Sequence, residues 1–332
     1  MTKTKQMIEE RENIYKKFIG LKPLNSGGTD EYSVETISSG LPHKLGITAT
    51  GFPVLFVECS DDKVTSDIRL KLFKVSFNRM CKLKEGDKTI DKKFSIIQLN
   101  SEREDFQKYF LEVMYLVLIK LASKPKIEQL KKEVSKIVSL FTAPATISKD
   151  VIKGLWAELF LIECAKNPLY MINSWHVSPD DKYDFNDGCD KIEVKATSNE
   201  DRIHHFAIEQ LHPNKDSQLL IASLIVVNSG LGKDIFDLVD SISTKVSDIE
   251  ALLKLNEVIM STIGSHIEEV KGVKFDYVLA KDYVKFFNYI DIPKIKLSDV
   301  PLGVSAVHFA SCLSGLHDVN PNRMSGNLYK SI

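Results

Sequence analysis

The chain of 332 residues has little cysteine and no paired cysteine motif: Cys59, Cys81, Cys164, Cys189 and Cys312 are scattered, odd in number and without a CxxC. That excludes a disulfide framework and a zinc ligand set, and free thiols in a reducing compartment are expected. Long apolar runs are missing too. The longest, Tyr109 to Ala122, is broken by Glu112 and Lys120, too short and too charged to cross a hydrocarbon layer of about 30 Å. The amino terminus is charged from its first residues, so no signal region and no membrane association are expected, and the compartment expected is the cytoplasm. The loops at Gly51 and Gly230 carry no Walker or dinucleotide pattern, and no Ser-His-Asp or Cys-His arrangement has local support. No internal repeat and no low-complexity segment is present. With 43% apolar and 27% charged residues, 16 Gly and 11 Pro, the composition is that of a globular protein rather than a disordered or collagen-like one.

A net charge of one sign is also absent, since 44 Lys plus Arg face 45 Asp plus Glu. The balance is a cancellation between halves. Residues 1–150 hold 26 basic against 20 acidic side chains, and residues 151–332 hold 18 against 25. Such asymmetry suits a polyanion-facing half joined to a carboxylate-rich half.

The length favours two domains. A charged helix is expected over about 5–19, before a loop at 25–30. Strand-like patterns follow to about residue 100, with Phe73, Val75 and Phe77 alternating against Lys74, Ser76 and Asn78. Arg69, Lys71, Lys74, Arg79, Lys82 and Lys84 are interleaved with those aromatics. The expectation is that the Phe side chains face a core and the cations face solvent. Spacings of three and four then predict two helices between Glu102 and Phe141, parted at Ser123-Lys-Pro125. A joint at 142–146 would separate a β-rich amino-terminal domain with a helical linker, 1–145, from a second domain, 146–332. That second domain is expected to open on a helix from about Asp150 to Ala165. A hairpin about Asn186-Asp-Gly188 and a buried central strand, Leu219 to Val227, follow. Helices at about 232–243 and 247–268, then strand-like runs at 283–289 and 303–313, complete the reading. Trp156, at helical spacing, is expected in the core.

The chemistry is concentrated between Tyr183 and Thr197. On a strand Ile192 and Val194 point one way while Glu193 and Lys195 point the other, about 6 to 7 Å apart. A carboxylate and an ammonium therefore share a face, and the hairpin places Asp184 beside them. Converging carboxylates repel unless a cation lies between them. Mg²⁺, which takes hard oxygen ligands and keeps several waters, is the expected ion, with Mn²⁺ as a substitute. Lys195 could orient a water and stabilise charge on a phosphate. Glu158, four residues after Gly154 on the preceding helix, could add a ligand, and the glycine is expected to allow close packing.

These residues resemble the PD-(D/E)XK nuclease superfamily, the fold of many restriction endonucleases. The longer run GLWAELFLIE, a Trp loop, DF, EVKAT, Arg202-Ile-His204 and Glu209-Gln-Leu211 is similar to a bacterial family of PD-(D/E)XK proteins found in phage-defence and restriction gene clusters. The tight similarity covers about residues 150–228. It implies an α/β (α+β) restriction-endonuclease-like core with a mixed central sheet flanked by helices. It also implies that Asp184 and Glu193 are metal ligands, that Lys195 is the catalytic lysine and that Glu158 is the supporting helix carboxylate. Tyr183 stands where the eponymous proline would be. Gln210 resembles the glutamine that follows the core in some branches, although the tyrosine expected one turn later is Asn214. Arg202, His204 and His205 are candidates for the scissile phosphate.

The function so implied is Mg²⁺-dependent hydrolysis of DNA phosphodiesters in restriction or anti-phage defence. A methyltransferase or ATPase of the same cluster would be a partner, and a homodimer or larger complex would supply two sites. The alternatives are a non-catalytic DNA-binding or interaction subunit keeping the nuclease fold, and a metal hydrolase acting on RNA or branched junctions.

Overall fold

The computed structural model describes residues 3–24, 31–63, 65–142, 147–176, 181–215, 217–264 and 266–332. The expected loop at 25–30 and most of the expected joint, 143–146, lie outside them. The chain divides into two compact units, Met1–Ala145 and Thr146–Ile332.

The first unit opens with helix α1 (Lys3–Gly20) and continues through β1 (Glu31–Thr36), β2 (Lys44–Ile47), β3 (Pro53–Val57), β4 (Ile68–Arg69), β5 (Phe73–Glu85) and β6 (Lys88–Leu99). It ends in helices α2 (Glu104–Lys120) and α3 (Ile127–Thr142). The strands lie in the order β1-β2-β3-β6-β5-β4. β1 also pairs in parallel with β5, so the sheet curls back on itself. The β5–β6 hairpin turns at Gly86, whose φ of +56° suits glycine. A bulge at 77–78 shifts its register, with Asn78 also at positive φ.

α2 and α3, expected as a helical linker, are instead part of the unit's core. Phe106 and Phe110 of α2 and Phe141 of α3 pack with Phe73 of β5 into one aromatic core. The apolar stripes read from periodicity are what bury them. The cations of β4 and β5 face outward, as expected. Four are answered locally: Arg69 and Arg79 by Asp67, Lys82 and Lys84 by Glu31.

The second unit comprises α4 (Lys149–Cys164), α5 (Pro168–Ser174), β7 (Phe185–Asn186), β8 (Asp190–Thr197), β9 (Ile203–Ala207), β10 (Gln218–Ile225), β11 (Asn228–Lys233), α6 (Ile235–Lys245), α7 (Ile249–Ile263), α8 (Ile267–Val270), α9 (Tyr277–Tyr283), β12 (Lys285–Asn288), β13 (His308–Cys312) and α10 (Asn327–Lys330). Helix starts are written locally. Ser148, Asp234, Asp248 and Asp276 each accept a backbone N–H of the first turn, satisfying donors that would otherwise be orphaned.

The central sheet runs β12-β10-β8-β7 and is mixed: β8 and β10 are parallel, and the two outer strands are antiparallel to them. The near-continuous apolar run of β10 occupies the interior position its composition requires. β9 and β13 form a separate antiparallel ribbon. α4 packs on β8 and against α6. Trp156 is fully buried, stacked on Phe160. Gly154, expected to permit close packing, instead faces open space.

One polar knot ties three helices of this unit together. Glu163 of α4 accepts from Lys245 Nζ at 2.8 Å and Ser241 Oγ at 2.7 Å, both on α6, and from Tyr277 Oη of α9 at 2.5 Å. Burial alone would raise its carboxyl, but these donors outweigh burial and hold it down at about 2. The ordinary value is 4.5, so the stabilisation is complete above it and is lost as pH falls from there towards 2. The urea midpoint of wild type should therefore fall faster between pH 6 and pH 3 than that of Glu163→Gln. Parallel curves would remove Glu163 as the cause.

Candidate active site

β8 carries the centre of the site. Its alternation buries Ile192 beneath the sheet and sets Glu193 and Lys195 on the opposite face, where Lys195 Nζ lies 2.8 Å from Glu193 Oε1. Glu193 is only 3% exposed, and its oxygens differ. Oε1 accepts from Lys195 and from Gln210 Nε2. Oε2 is buried and has no hydrogen-bond partner.

Gln210 belongs to a 3₁₀ turn, Ile208–Leu211, that follows β9. Its Oε1 accepts from Lys195 Nζ at 3.1 Å and from the Ala207 backbone N–H at 3.1 Å. One amide thus bridges the acidic and basic members of the pair. Lys195 also lies over the Phe206 ring, 5.1 Å from its centroid, so its ammonium is held from several sides.

Asp184 immediately precedes β7. Its Oδ2 accepts from the Val194 backbone N–H at 2.7 Å, which pins the carboxylate against β8. Burial, then the charges of Glu193 and Glu158, push its carboxyl well above the usual carboxylate range. Glu193 is raised as well, by burial first, with Lys195 pulling it back. A buried carboxylate and a half-buried one, which cannot both ionise comfortably, form a site that favours positive charge.

Glu158 arrives from α4. Its Oε2 accepts from Trp175 Nε1 at 2.7 Å and meets His176 Nε2 at 2.9 Å. Trp175, a base-stacking candidate by type alone, is fully buried. It bridges to Phe185, and the His176 N–H donates to the Asp184 carbonyl at 3.0 Å, so residues 175–176 run alongside 184–185. Sequence pattern alone does not single out His176. The usable signal was its place after a tryptophan, eight residues upstream of Asp184. Glu158, His176 and Asp184 each offer one ligand atom, all three within 4.8 Å of one another.

The residues fit a divalent cation on two counts. The donors are hard carboxylate oxygens. The Oε2 of Glu193 is also a buried acceptor with nothing to accept, a costly vacancy in a protein interior and one a cation would relieve.

Of the expected phosphate binders, Arg202 and His204 do not reach this site. Arg202 is buried at 4% exposure, with Nη1 donating to the Ser223 carbonyl and hydroxyl at 2.8 Å each and Nη2 to the Tyr283 carbonyl. His204 meets the same Ser223 hydroxyl at 2.8 Å. Burial, with Lys195 and Arg202 nearby, pushes its ring down to about 4. The cause is alternation along β9, where His204 and Phe206 point inward and Ile203 and His205 outward. His205 instead lines an open cleft of about 580 Å³ with Lys182, Lys195, Phe206, Glu209, Gln210 and His308.

A mixed sheet with its carboxylate, carboxylate and lysine set on adjoining strands, and a helix carboxylate alongside, is a restriction-endonuclease-like α+β arrangement. A family model described as "Putative PD-(D/E)XK family member, (DUF4420)" matches residues 16–314, and the chain belongs to that family. The match extends well beyond the 150–228 stretch that carried the resemblance and takes in most of the first unit. No curated protein and no solved structure matches the chain. All five cysteines are free, and no helix among the described residues is long and apolar enough to cross a membrane.

Proposed function

We propose that the protein is a metal-dependent endonuclease that hydrolyses DNA phosphodiesters, serving restriction or anti-phage defence. The observation that carries this reading is the state of Glu193, one oxygen saturated by Lys195 and Gln210 and the other buried without a partner beside Asp184. Asp184 and Glu193 would hold a divalent ion, Mg²⁺ or Mn²⁺, with Glu158 supporting from α4. Such an ion, when bound, supplies Lewis-acid polarisation of the phosphate and acidifies water. Lys195, tethered by Glu193 and Gln210, orients the attacking water and meets negative charge developing on the phosphoryl oxygens. Water attacks phosphorus in line and gives up a proton to solvent, and the bond to the leaving sugar oxygen breaks as that oxygen takes up a proton from solvent.

The nucleic acid would enter over the cleft beside Lys195, where Lys182, His205 and His308 face solvent and can meet the backbone on either side of the reacting phosphate. Lys182→Ala should weaken DNA binding several-fold, lower the salt dependence by about one unit in log K against log salt, and leave the melting temperature unchanged. Fluorescence anisotropy across a salt series measures it, and an unaltered slope would remove Lys182 from the contact.

The deciding experiment incubates the purified full chain with phage and plasmid DNA and Mg²⁺ or Mn²⁺, alone and with the products of neighbouring genes. Nicking or linearisation that stops on chelation with EDTA is expected. Intact DNA under every condition would favour an interaction subunit instead. Partners from the same gene cluster, a methyltransferase or ATPase, and a homodimer that brings two sites to opposite strands belong to the same proposal.

A further inference from the structure

The sequence led to a carboxylate site for Mg²⁺, but the side chain that meets Glu158 beside Asp184 is an imidazole. We propose that His176 is a metal ligand completing a Glu158–His176–Asp184 set, and that this set makes the site prefer a first-row transition-metal ion to Mg²⁺. This rests on the metal-dependent reading above and deepens it.

Three features support the assignment. His176 Nε2 and Glu158 Oε2 lie 2.9 Å apart. Two adjacent ligands on an octahedral ion, each about 2.1 Å from it, are separated by about 3.0 Å, so the pair already has the spacing of one edge of a coordination shell. The third atom, from Asp184, lies within 4.8 Å of both, so all three are within reach of one ion.

The second feature is how the imidazole is delivered. His176 takes φ +40°, a left-handed conformation uncommon for a residue other than glycine, while its backbone N–H is fixed on the Asp184 carbonyl. Glu158 is oriented in turn by the Trp175 indole N–H, the outer hydrogen bond that ligating carboxylates commonly receive.

The third feature is independent of the cluster. Glu193 Oε2 is buried and unpartnered, and the charges of Glu158 and His176 both act on that carboxyl. An unpartnered carboxylate oxygen thus lies near enough to feel the charge of two of the three, although Glu193 is not itself one of the three converging residues.

Ligand chemistry then decides the preference. Carboxylates and water suit Mg²⁺, whereas an imidazole nitrogen favours transition metals and adds little for Mg²⁺.

The test uses the full chain without DNA, with Mn²⁺ alone and Mg²⁺ alone as probes. Calorimetric titration should show Mn²⁺ bound at least about 10-fold more tightly than Mg²⁺. Pulsed paramagnetic resonance of bound Mn²⁺ should show ¹⁴N modulation from a directly bound imidazole. His176→Ala and His176→Gln should both abolish that modulation and weaken Mn²⁺ about 10-fold or more, while Mg²⁺ affinity barely moves. Circular dichroism identifies which variant is folded.

If the modulation or the Mn²⁺ affinity survives in a folded His176 variant while Asp184→Ala loses metal, the carboxylate site stands and the histidine assignment falls. If Asp184→Ala and Glu193→Ala also bind Mn²⁺ like wild type, the metal-dependent reading falls with it.

Discussion

Replacing Asp184 by asparagine is expected to lower DNA cleavage by about 10³-fold or more and to raise the melting temperature of the metal-free protein. Both effects have one cause. Asp184 is half-buried with Glu193 and Glu158 close by, and desolvation and those two charges push its carboxyl well up, against a smaller pull from the Val194 N–H and Lys195. In the metal-free protein the ionised side chain is therefore a liability that folding must carry. Asparagine keeps the oxygen that accepts the Val194 N–H and removes the charge. Relief of about 1 kcal/mol would raise the melting temperature by about 2–4 °C in a unit of this size. Lys195→Ala should also stop cutting but move stability the other way, because it leaves the buried Glu193 carboxylate without its cation. Calorimetric scans of the three proteins in EDTA, beside plasmid cleavage in Mn²⁺, decide the matter. An Asp184→Asn variant that cuts within tenfold of wild type, or melts below it, would overturn the account.

How far the site was legible in the sequence depended on how local each relationship is. Glu193 and Lys195 are two residues apart on a strand, so alternation alone put them together, and the Asn186-Asp-Gly188 turn brought Asp184 within reach. The helix carrying Glu158 followed from periodicity, but the carboxylate itself was legible only through the resemblance, since Gly154, whose spacing pointed to it, faces open space. His176 was not legible, because its position depends on a left-handed backbone and on the pairing of 175–176 with 184–185, neither of which has a short-range code.

The same distinction runs through the fold. β5, β6, β10 and the helices α1 to α4 have strong periods and were expected near their observed places. β1 fell only within a broadly strand-like stretch, and β9 and β11, short and mixed in composition, were not expected. Missing β9 had a direct cost. Without its register, Arg202 and His204 looked as available to a phosphate as His205 did, and only the pairing of β9 with β13 shows which face of the ribbon is inward. Gln210 had the reverse fate. The doubtful Asn214 position counted against it, yet the 3₁₀ turn brings its amide between Glu193 and Lys195.

That correction yields the second large effect, at Arg202. Arg202→Ala is expected to cost about 3 kcal/mol, from buried acceptors left unsatisfied, and to lower the melting temperature by roughly 10 °C, while leaving DNA affinity per folded molecule unchanged. The guanidinium joins the Ser223 carbonyl and hydroxyl on β10 to the Tyr283 carbonyl at the end of α9, and its own carbonyl accepts the N–H of Leu313 after β13. Truncation removes the donor from the buried Ser223 carbonyl and hydroxyl and from the Tyr283 carbonyl, and leaves the Ser223 hydroxyl with His204 alone. Arg202→Lys should recover little, because one ammonium cannot span two carbonyls that a planar fork reaches together. Lys182→Ala gives the opposite signature, weaker DNA binding at unchanged stability. Measuring melting and affinity on both variants therefore separates an internal brace from a phosphate contact, and a stable Arg202→Ala protein with weakened DNA binding would return Arg202 to the substrate.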